Sequence, residues 1–244
     1  MVRTASITAL AACLACACGD AAAPVPMVCP AARTAGPVAS QCGPSADFTP
    51  VNAYDGPIAA VQEREDAVVL LGGDCTGTLI AAAAGPVVLT AGHCVTLGGS
   101  VLVAFNVEDN PDGDTLVTDG TVFEQATEPD YALLRLDQLP AITPTPLTTR
   151  TSETLVVIQH PRGRPKVVAE GQLAGACDGL VYYADLDTLV GSSGAGVLTS
   201  DGYVVGVHTD GDCAIDGGGT NHGWTAERIV AASAYLQDQD IADR

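Results

Sequence analysis

Short apolar runs broken by Gly, Asp and Pro dominate the chain from residue 58 onwards, and their spacing is typical of antiparallel β-strands. Six runs predict one small antiparallel barrel; they lie at residues 67–71, 76–80, 86–90, 101–107, 116–123 and 131–136. A proline-bearing crossover at 139–149 leads to a second set of runs, at residues 154–160, 166–174, 180–184, 196–199 and 203–208. The pattern therefore predicts an all-β protein with two lobes.

The end of the chain changes to helical spacing over about residues 225–240. One face of this helix carries four small or apolar residues: Ile229, Ala232, Ser233 and Leu236. Thr225 is suited to cap the N-terminus of the helix, because its hydroxyl can accept from a free backbone N–H group. We expect the first barrel over about 58–140, the second over about 150–224, and this C-terminal α-helix within one domain at 58–244.

Residues 1–18 have the composition of an export signal, because Arg3 is the only charged residue and small and apolar residues follow it. The run is too short to span a membrane. Residues 10–13 (Leu-Ala-Ala-Cys) resemble a bacterial lipoprotein processing box, with Cys16 and Cys18 as alternative lipidated cysteines. Cleavage without lipidation near residues 15–23 is the other hypothesis. Residues 19–57, rich in Ala, Pro, Gly and Ser, predict a linker or a short pro-segment.

The chain is strongly acidic, with a net charge of −19 and a pI of about 4.1. Such a surface repels phosphate backbones, so the composition argues against nucleic acid as a partner. The charge favours solubility, with attraction of basic substrates as the alternative. We predict a monomer that is secreted or held at the cell envelope as a lipoprotein, with membrane contact only through a lipid anchor.

Cysteine parity supports export. Of nine cysteines, three lie in the leader, and the other six predict three disulfides in an oxidising compartment: Cys29, Cys42, Cys75, Cys94, Cys177 and Cys213. The region after the leader has no paired C-x-x-C and H-x-x-x-H spacing, so we predict no zinc site.

Three stretches carry candidate chemistry. Ser193 lies in a Gly-Ser-Ser-Gly turn at 191–194, where the glycines allow a sharp bend. A serine hydroxyl becomes a useful nucleophile when a base takes its proton and N–H groups hold the oxyanion. His93 follows one apolar strand, and Asp130 leads into another, where a carboxylate needs a partner such as a histidine N–H group. The chain order His, Asp, Ser is that of the chymotrypsin-like triad.

At these residues the sequence resembles the chymotrypsin/trypsin-like serine peptidases, in particular their short bacterial members. Thr-Ala-Gly-His-Cys at 90–94 matches the family's histidine motif, and 130–134 and 191–194 look like its aspartate and serine motifs. His-Pro-Arg-Gly at 160–163 is similar to a segment common in bacterial members. The resemblance covers about residues 58–240. It implies a chymotrypsin-like double barrel, with two antiparallel six-stranded-type β-barrels, a cleft between them and a C-terminal helix.

The resemblance also implies the roles at the site. Ser193 is the nucleophile, His93 is general base and then general acid, and Asp130 orients the imidazole. The backbone N–H groups of Gly191 and Ser193 form the oxyanion hole. The implied reaction is hydrolysis of peptide bonds in a polypeptide substrate through an acyl-enzyme, without a cofactor.

A disulfide between Cys75 and Cys94 is implied by the same resemblance, since the family joins these positions. The other four cysteines leave alternatives open. Cys177–Cys213 would brace the second lobe and leave Cys29–Cys42 by elimination. The alternative is that Cys42 tethers the leader segment to the domain.

The specificity pocket gives conflicting signals. Asp187 lies six residues before Ser193, where trypsin-like members carry an acid that binds Arg or Lys. Thr188 and His208 match positions that bacterial glutamyl endopeptidases use to hold an acidic side chain, and both side chains can donate to a carboxylate. An ionised Asp187 would repel that carboxylate unless it points away from the pocket. Both hypotheses stay open at this point.

Two further alternatives concern metal binding and activity. The oxygen-rich loop at 108–114 fails the EF-hand spacing, so a solvated acidic hairpin is favoured over a structural calcium site. A catalytically silent binding or adhesion module of the same fold is the alternative function, disfavoured because the triad and Gly191 are all present. An esterase shares the acyl chemistry, but the order of the triad residues argues against the α/β-hydrolase version.

Overall fold

The computed structural model describes residues 29–31, 40–237 and 241 of the chain, so the predicted leader at 1–18 lies outside the described residues. The described residues form two α-helices, α1 (Ala60–Arg64) and α2 (Ala226–Ala232), and thirteen β-strands. In chain order the strands are β1 (Thr49–Pro50), β2 (Val68–Leu71), β3 (Cys75–Ile80), β4 (Val87–Thr90), β5 (Ser100–Phe105), β6 (Leu116–Thr127), β7 (Asp130–Leu136), β8 (Thr154–Gln159), β9 (Val167–Cys177), β10 (Leu180–Ala184), β11 (Gly196–Thr199), β12 (Val204–Asp210) and β13 (Asn221–Thr225).

The first barrel closes in the order β2-β3-β4-β7-β6-β5. Every neighbouring pair is antiparallel, as the short connections between the apolar runs require. Inward-facing side chains form one buried cluster, which includes Val69, Leu79, Val88, Phe105 and Leu134. The end of β4 and the start of β7 therefore lie side by side on a closed scaffold.

The second barrel closes through β8-β9-β10-β13-β12-β11, with β11 paired back to β8. β1 pairs with the first residues of β9, beside this ring. Its interior is filled by a second cluster, which includes Leu155, Val157, Val181, Tyr183 and Val197. The predicted all-β double barrel of two six-stranded antiparallel barrels is confirmed.

A third cluster of buried side chains joins the two barrels and takes in the C-terminal segment. Leu89 and Tyr131 come from the first barrel, Ile158 and Val207 from the second, and Ile229 from α2. Apolar contact across the barrels is continuous, so the strand ends of both barrels are held in one packed unit.

The C-terminal helix begins as predicted but ends earlier. The Thr225 hydroxyl accepts a hydrogen bond from Arg228 N at 3.2 Å, which confirms the cap. Of the predicted inner face, Ala232 is exposed, and α2 ends at this residue. The buried residues of α2 are Ala226, Ile229 and Val230, and the predicted inner residues Ser233 and Leu236 are buried beyond the end of the helix.

Residues 40–57, which the composition assigns to a linker or pro-segment, fold against the second barrel. Asp187 accepts hydrogen bonds from Cys42 N and Asp47 N, and Val51 is buried in the cluster between the barrels. Residues 40–237 contain no helix long and apolar enough to cross a membrane.

The described residues form three disulfides, and two of them tie the N-terminal segment to the second barrel: Cys29–Cys177, Cys42–Cys213 and Cys75–Cys94. The alternative arrangement of Cys177–Cys213 with Cys29–Cys42 is wrong. Cys29 and Cys42 are each bonded to a different cysteine of the second barrel instead of to one another. Three disulfides are typical of proteins from an extracellular or otherwise oxidising compartment.

Candidate active site

His93 lies in a single 3₁₀ turn, Gly92–Cys94, that follows β4. The Cys75–Cys94 disulfide fixes this turn to the start of β3. A Cβ at Gly92 would clash with Ala126 O of the adjacent β6 and lie 2.8 Å from the Asp130 carboxylate. Only glycine therefore lets the histidine turn approach β7 this closely.

Asp130 opens β7 and binds His93 through both carboxylate oxygens. Its Oδ2 lies 2.6 Å from His93 Nδ1, and its Oδ1 accepts the His93 backbone N–H at 2.9 Å. The hydrogen bond to Asp130 raises the pKa of His93, although partial burial opposes the shift. With Nδ1 donating to the carboxylate, the neutral imidazole carries its basic lone pair on Nε2.

Ser193 stands in a turn whose flanking glycines both have left-handed backbone angles. φ is +98° at Gly191 and +88° at Gly194, values that other residues rarely adopt. Ser192 N donates to Leu189 O at 2.9 Å and Gly194 N to His208 O at 2.8 Å. Within the described residues, the N–H groups of Gly191 and Ser193 have no hydrogen-bond acceptor in the protein. Two unpaired N–H groups at a serine turn can stabilise a developing oxyanion.

Residues from both barrels line one cleft of about 350 Å³. His93 comes from the first barrel, and Gly191, Ser193 and His208 come from the second. The structure therefore brings the predicted base, nucleophile and oxyanion glycine to one cavity, with Asp130 held behind His93. A proton acceptor and a hydroxyl in one cleft can carry out acyl transfer.

Asp187 and Thr188 do not line this cleft. The Asp187 carboxylate is buried and accepts from the backbone N–H groups of Cys42 and Asp47, both at 2.6 Å. The Thr188 hydroxyl contacts Ser40 O at 3.4 Å. Both side chains hold the N-terminal segment, which the sequence placed in a linker or pro-segment.

His208 is fully enclosed except where it borders the cleft. Burial lowers its pKa to about 3, so the imidazole is neutral at neutral pH. Its Nδ1 contacts the hydroxyl of Tyr183, whose own pKa burial raises far above its ordinary value. A hydrogen bond to the His222 backbone opposes the lowering of the His208 pKa, so Tyr183 and His222 both engage the imidazole where it borders the cleft.

Asn221 and Ser40 are residues of this region that sequence reasoning missed. Asn221 Nδ2 donates to Ser40 O at 2.7 Å and to Leu186 O at 2.9 Å, and Asn221 Oδ1 accepts from Asp212 N at 3.2 Å. The Ser40 carbonyl thus accepts hydrogen bonds from Asn221 Nδ2 and Thr188 N, and Ser40 itself lines the cleft. One asparagine after a glycine-rich loop carries no pattern that would have indicated this role.

The remaining polar clusters lie apart from the cleft. Both Glu108 oxygens are engaged, one by Lys166 Nζ at 2.6 Å and the other by Asn52 Nδ2 at 2.8 Å. The preference for a solvated acidic hairpin over a calcium site at 108–114 stays a prediction, and the Glu108 carboxylate is already bound to neighbouring side chains. His160 is buried and donates from its backbone N–H group to Thr76 Oγ1 at 3.0 Å.

Comparisons with known proteins agree with this geometry. The trypsin-like peptidase domain model matches residues 75–207, more than half of the chain. No curated protein matches the sequence. A serine endoprotease from Yersinia pestis is 16% identical, with 73% of this chain and 66% of that chain covered and a TM-score of 0.59. Deg5 is 18% identical, with 70% of this chain and 89% of that chain covered and a TM-score of 0.56.

At such low identities the two solved structures show the fold alone, and the chain spans slightly less than two thirds of the Yersinia protein. The family match is more specific, because its range contains His93, Asp130 and Ser193. By that match the chain belongs to the trypsin-like peptidase domain family.

Proposed function

We propose that the protein is an exported endopeptidase that cleaves polypeptides with His93, Asp130 and Ser193 as its catalytic triad. One observation carries the assignment: Asp130 binds His93 through both oxygens while the imidazole and Ser193 line one cleft. A histidine held in this way has a fixed ring orientation and a raised pKa, as a general base next to a serine requires.

In the proposed reaction, the Ser193 Oγ attacks the carbonyl carbon of the scissile peptide bond while His93 Nε2 takes the hydroxyl proton. The carbonyl π electrons move to the oxygen, which the N–H groups of Gly191 and Ser193 stabilise. The tetrahedral intermediate expels the amine, which receives the proton from His93 and leaves an acyl-enzyme. Water then attacks the ester with His93 again as base, releasing the acid and restoring Ser193.

For the primary specificity, the positions of Asp187 and His208 favour the acidic-residue hypothesis over the basic one. The Asp187 carboxylate accepts from two backbone N–H groups outside the cleft, whereas the neutral His208 imidazole borders the cleft. An imidazole N–H group can donate to a substrate carboxylate. We therefore expect cleavage after Glu or Asp in preference to cleavage after Arg or Lys.

The test is turnover of a mixed peptide library by the purified protein, together with labelling by an active-site fluorophosphonate. Ser193→Ala should abolish both cleavage and labelling, and Ser200→Ala, a serine outside the cleft, should keep both. Preference for Arg or Lys would contradict the specificity proposal. A folded wild type with no cleavage and no labelling would favour the catalytically silent binding module instead.

Export is the second part of the proposal. The three disulfides and the leader composition support a secreted or lipid-anchored protein, and the acidic surface supports a monomer without nucleic-acid partners. Expression of the full chain with its leader, followed by mass determination of the mature N-terminus, distinguishes a lipidated cysteine from ordinary cleavage. Retention of the intact leader in the cytoplasm would contradict export.

A further inference from the structure

Thr76 is a residue of the first barrel that binds the serine turn of the second. It is the second residue of β3 and is fully buried. Its neighbour Cys75 is bonded to Cys94, beside His93. Thr76 therefore lies where the scaffold of the histidine meets the scaffold of the serine.

The carbonyl groups of the serine turn are anchored one after another. Four successive carbonyls each accept a hydrogen bond, and the pairs are Arg162 N to Val190 O (2.6 Å), Thr76 Oγ1 to Gly191 O (2.7 Å), Ala195 N to Ser192 O (3.0 Å) and Thr76 N to Ser193 O (2.9 Å). Thr76 supplies two of the four donors, and its hydroxyl is the only side-chain group among these four.

The neighbouring backbone groups determine in which direction the Thr76 hydroxyl donates its hydrogen bond. His160 N donates to Thr76 Oγ1 at 3.0 Å, so the single hydroxyl proton goes to Gly191 O at 2.7 Å. Both partners are backbone groups at a buried position. A methyl group of the same size in place of the hydroxyl would leave both without a hydrogen bond.

We propose that Thr76 is a positioning residue for the oxyanion hole and acts through its hydroxyl; this inference rests on the proposed peptidase function. The hydroxyl fixes the peptide plane between Gly191 and Ser192, which lies between the two N–H groups assigned to the oxyanion. Because a peptide unit is planar, holding its carbonyl restricts the backbone angles on both sides. Donors that are already in place cost no reorganisation when negative charge develops.

The experiment compares Thr76→Val, which removes the hydroxyl at nearly constant volume, with Thr76→Ser, which keeps it. Displacement of catalytic groups by about 1 Å can cost about 10²-fold in rate, so we expect Thr76→Val to lower kcat by about 10- to 100-fold. KM should change little, because the hole acts on the transition state. Thr76→Ser should restore kcat to within about threefold of the wild type.

Thr78→Val is the matched control. Thr78 lies on the same strand, is equally buried, and accepts from Gly196 N at 3.1 Å, so it also bridges the two barrels. It does not contact the serine turn carbonyls. We expect a comparable fall in the melting temperature, but a change in kcat of less than about threefold.

Each outcome decides the matter. Three results would overturn the inference. Thr76→Val keeps the wild-type kcat, Thr76→Ser is as impaired as Thr76→Val, or Thr78→Val loses as much kcat as Thr76→Val. If Thr76→Val does not fold, the comparison of Thr76→Ser with Thr76→Ala, measured per active site by fluorophosphonate titration, takes its place with the same expectation. A folded but inactive wild type would overturn the proposed function and this inference with it.

Discussion

Asp130 performs two functions through one carboxylate. One oxygen holds the imidazole of His93, and the other holds the backbone of the turn that carries it. The hydrogen bond raises the pKa of His93, so the proposed base becomes protonated at a higher pH than an isolated imidazole does. Since only the neutral imidazole accepts a proton from Ser193, activity is expected to fall as the pH drops through this raised pKa.

Asp130→Asn should lower kcat by about 10⁴-fold, because an amide donates to the imidazole and favours the wrong tautomer. The acidic limb of the kcat/KM profile should move to lower pH, since the interaction that raises the pKa of His93 is gone. Steady-state kinetics from pH 5 to 9 measure both effects. Asp137→Asn, exposed one residue beyond the end of β7, is the control. An unchanged acidic limb in Asp130→Asn would contradict the assignment.

The triad candidates could be predicted from sequence, because each lies in a short local motif. The environment of Asp187 could not. Its partners, Cys42 and Asp47, lie 145 and 140 residues away, and no local pattern shows that the N-terminal segment returns to it. Spacing from Ser193 gave the position of Asp187, but the direction of its side chain depends on long-range contacts.

Asp187→Asn should destabilise the protein rather than change its specificity. An asparagine has one acceptor oxygen, so one of the two N–H groups loses its partner and faces an NH₂ group instead. We expect a loss of about 1–3 kcal/mol in the free energy of unfolding, measured with urea. Asp185→Asn, exposed two residues earlier, should have little effect. A library preference in Asp187→Asn that differs from the wild-type preference would show that Asp187 reads the substrate.

At the level of elements, strands with a strong apolar signal were predictable and those without it were not. β13 was missed because its inward positions, Asn221 and Gly223, carry no hydrophobic signal. β1 was missed because a two-residue strand is too short for any pattern. The motif resemblance implied the Cys75–Cys94 pair, but the pairing of the other four cysteines was not predictable, because it depends on where the N-terminal segment runs.

The 3₁₀ turn that carries His93 depends on Gly92. Gly92→Ala places a methyl group against Ala126 O and the Asp130 carboxylate, so the turn must move away from β7. We expect kcat/KM to fall by about 10²-fold while the protein stays folded, as checked by circular dichroism. Gly113→Ala is the control, because its close neighbour is the flexible side chain of Asn106. Equal activity in both variants would contradict the close-approach argument.

At the scale of the whole molecule, a buried ionic cluster joins the barrels. Lys166 Nζ, the only lysine amine of the chain, contacts Glu65 Oε2 and Glu108 Oε1, both at 2.6 Å. One cation faces two carboxylates. Burial raises the pKa of Glu65 to about 7 although Lys166 opposes the shift, whereas Lys166 and Asn52 together lower the pKa of Glu108 against its burial. The cluster thus favours one protonated and one ionised carboxylate below neutral pH.

This arrangement makes stability depend on pH. The folded state holds the Glu65 proton up to about pH 7, while an unfolded glutamate releases it near 4.5. The contribution of Glu65 to stability is therefore complete below about 4.5 and is lost as the pH rises towards 7. Glu65→Gln should flatten this slope in urea unfolding measured over that range, and the exposed Glu63→Gln should not. If the free energy of unfolding varies with pH in the same way in the wild type and in Glu65→Gln, the role of Glu65 is contradicted.

The two disulfides of the N-terminal segment have a consequence for any cut made in it. Cys29–Cys177 and Cys42–Cys213 span 148 and 171 residues of the chain. A protease that cleaves between residues 43 and 57 would therefore yield a two-chain molecule of unchanged mass apart from one added water. The short chain would separate only after reduction, so processing there changes what a reducing gel shows without removing a single residue from the mature protein.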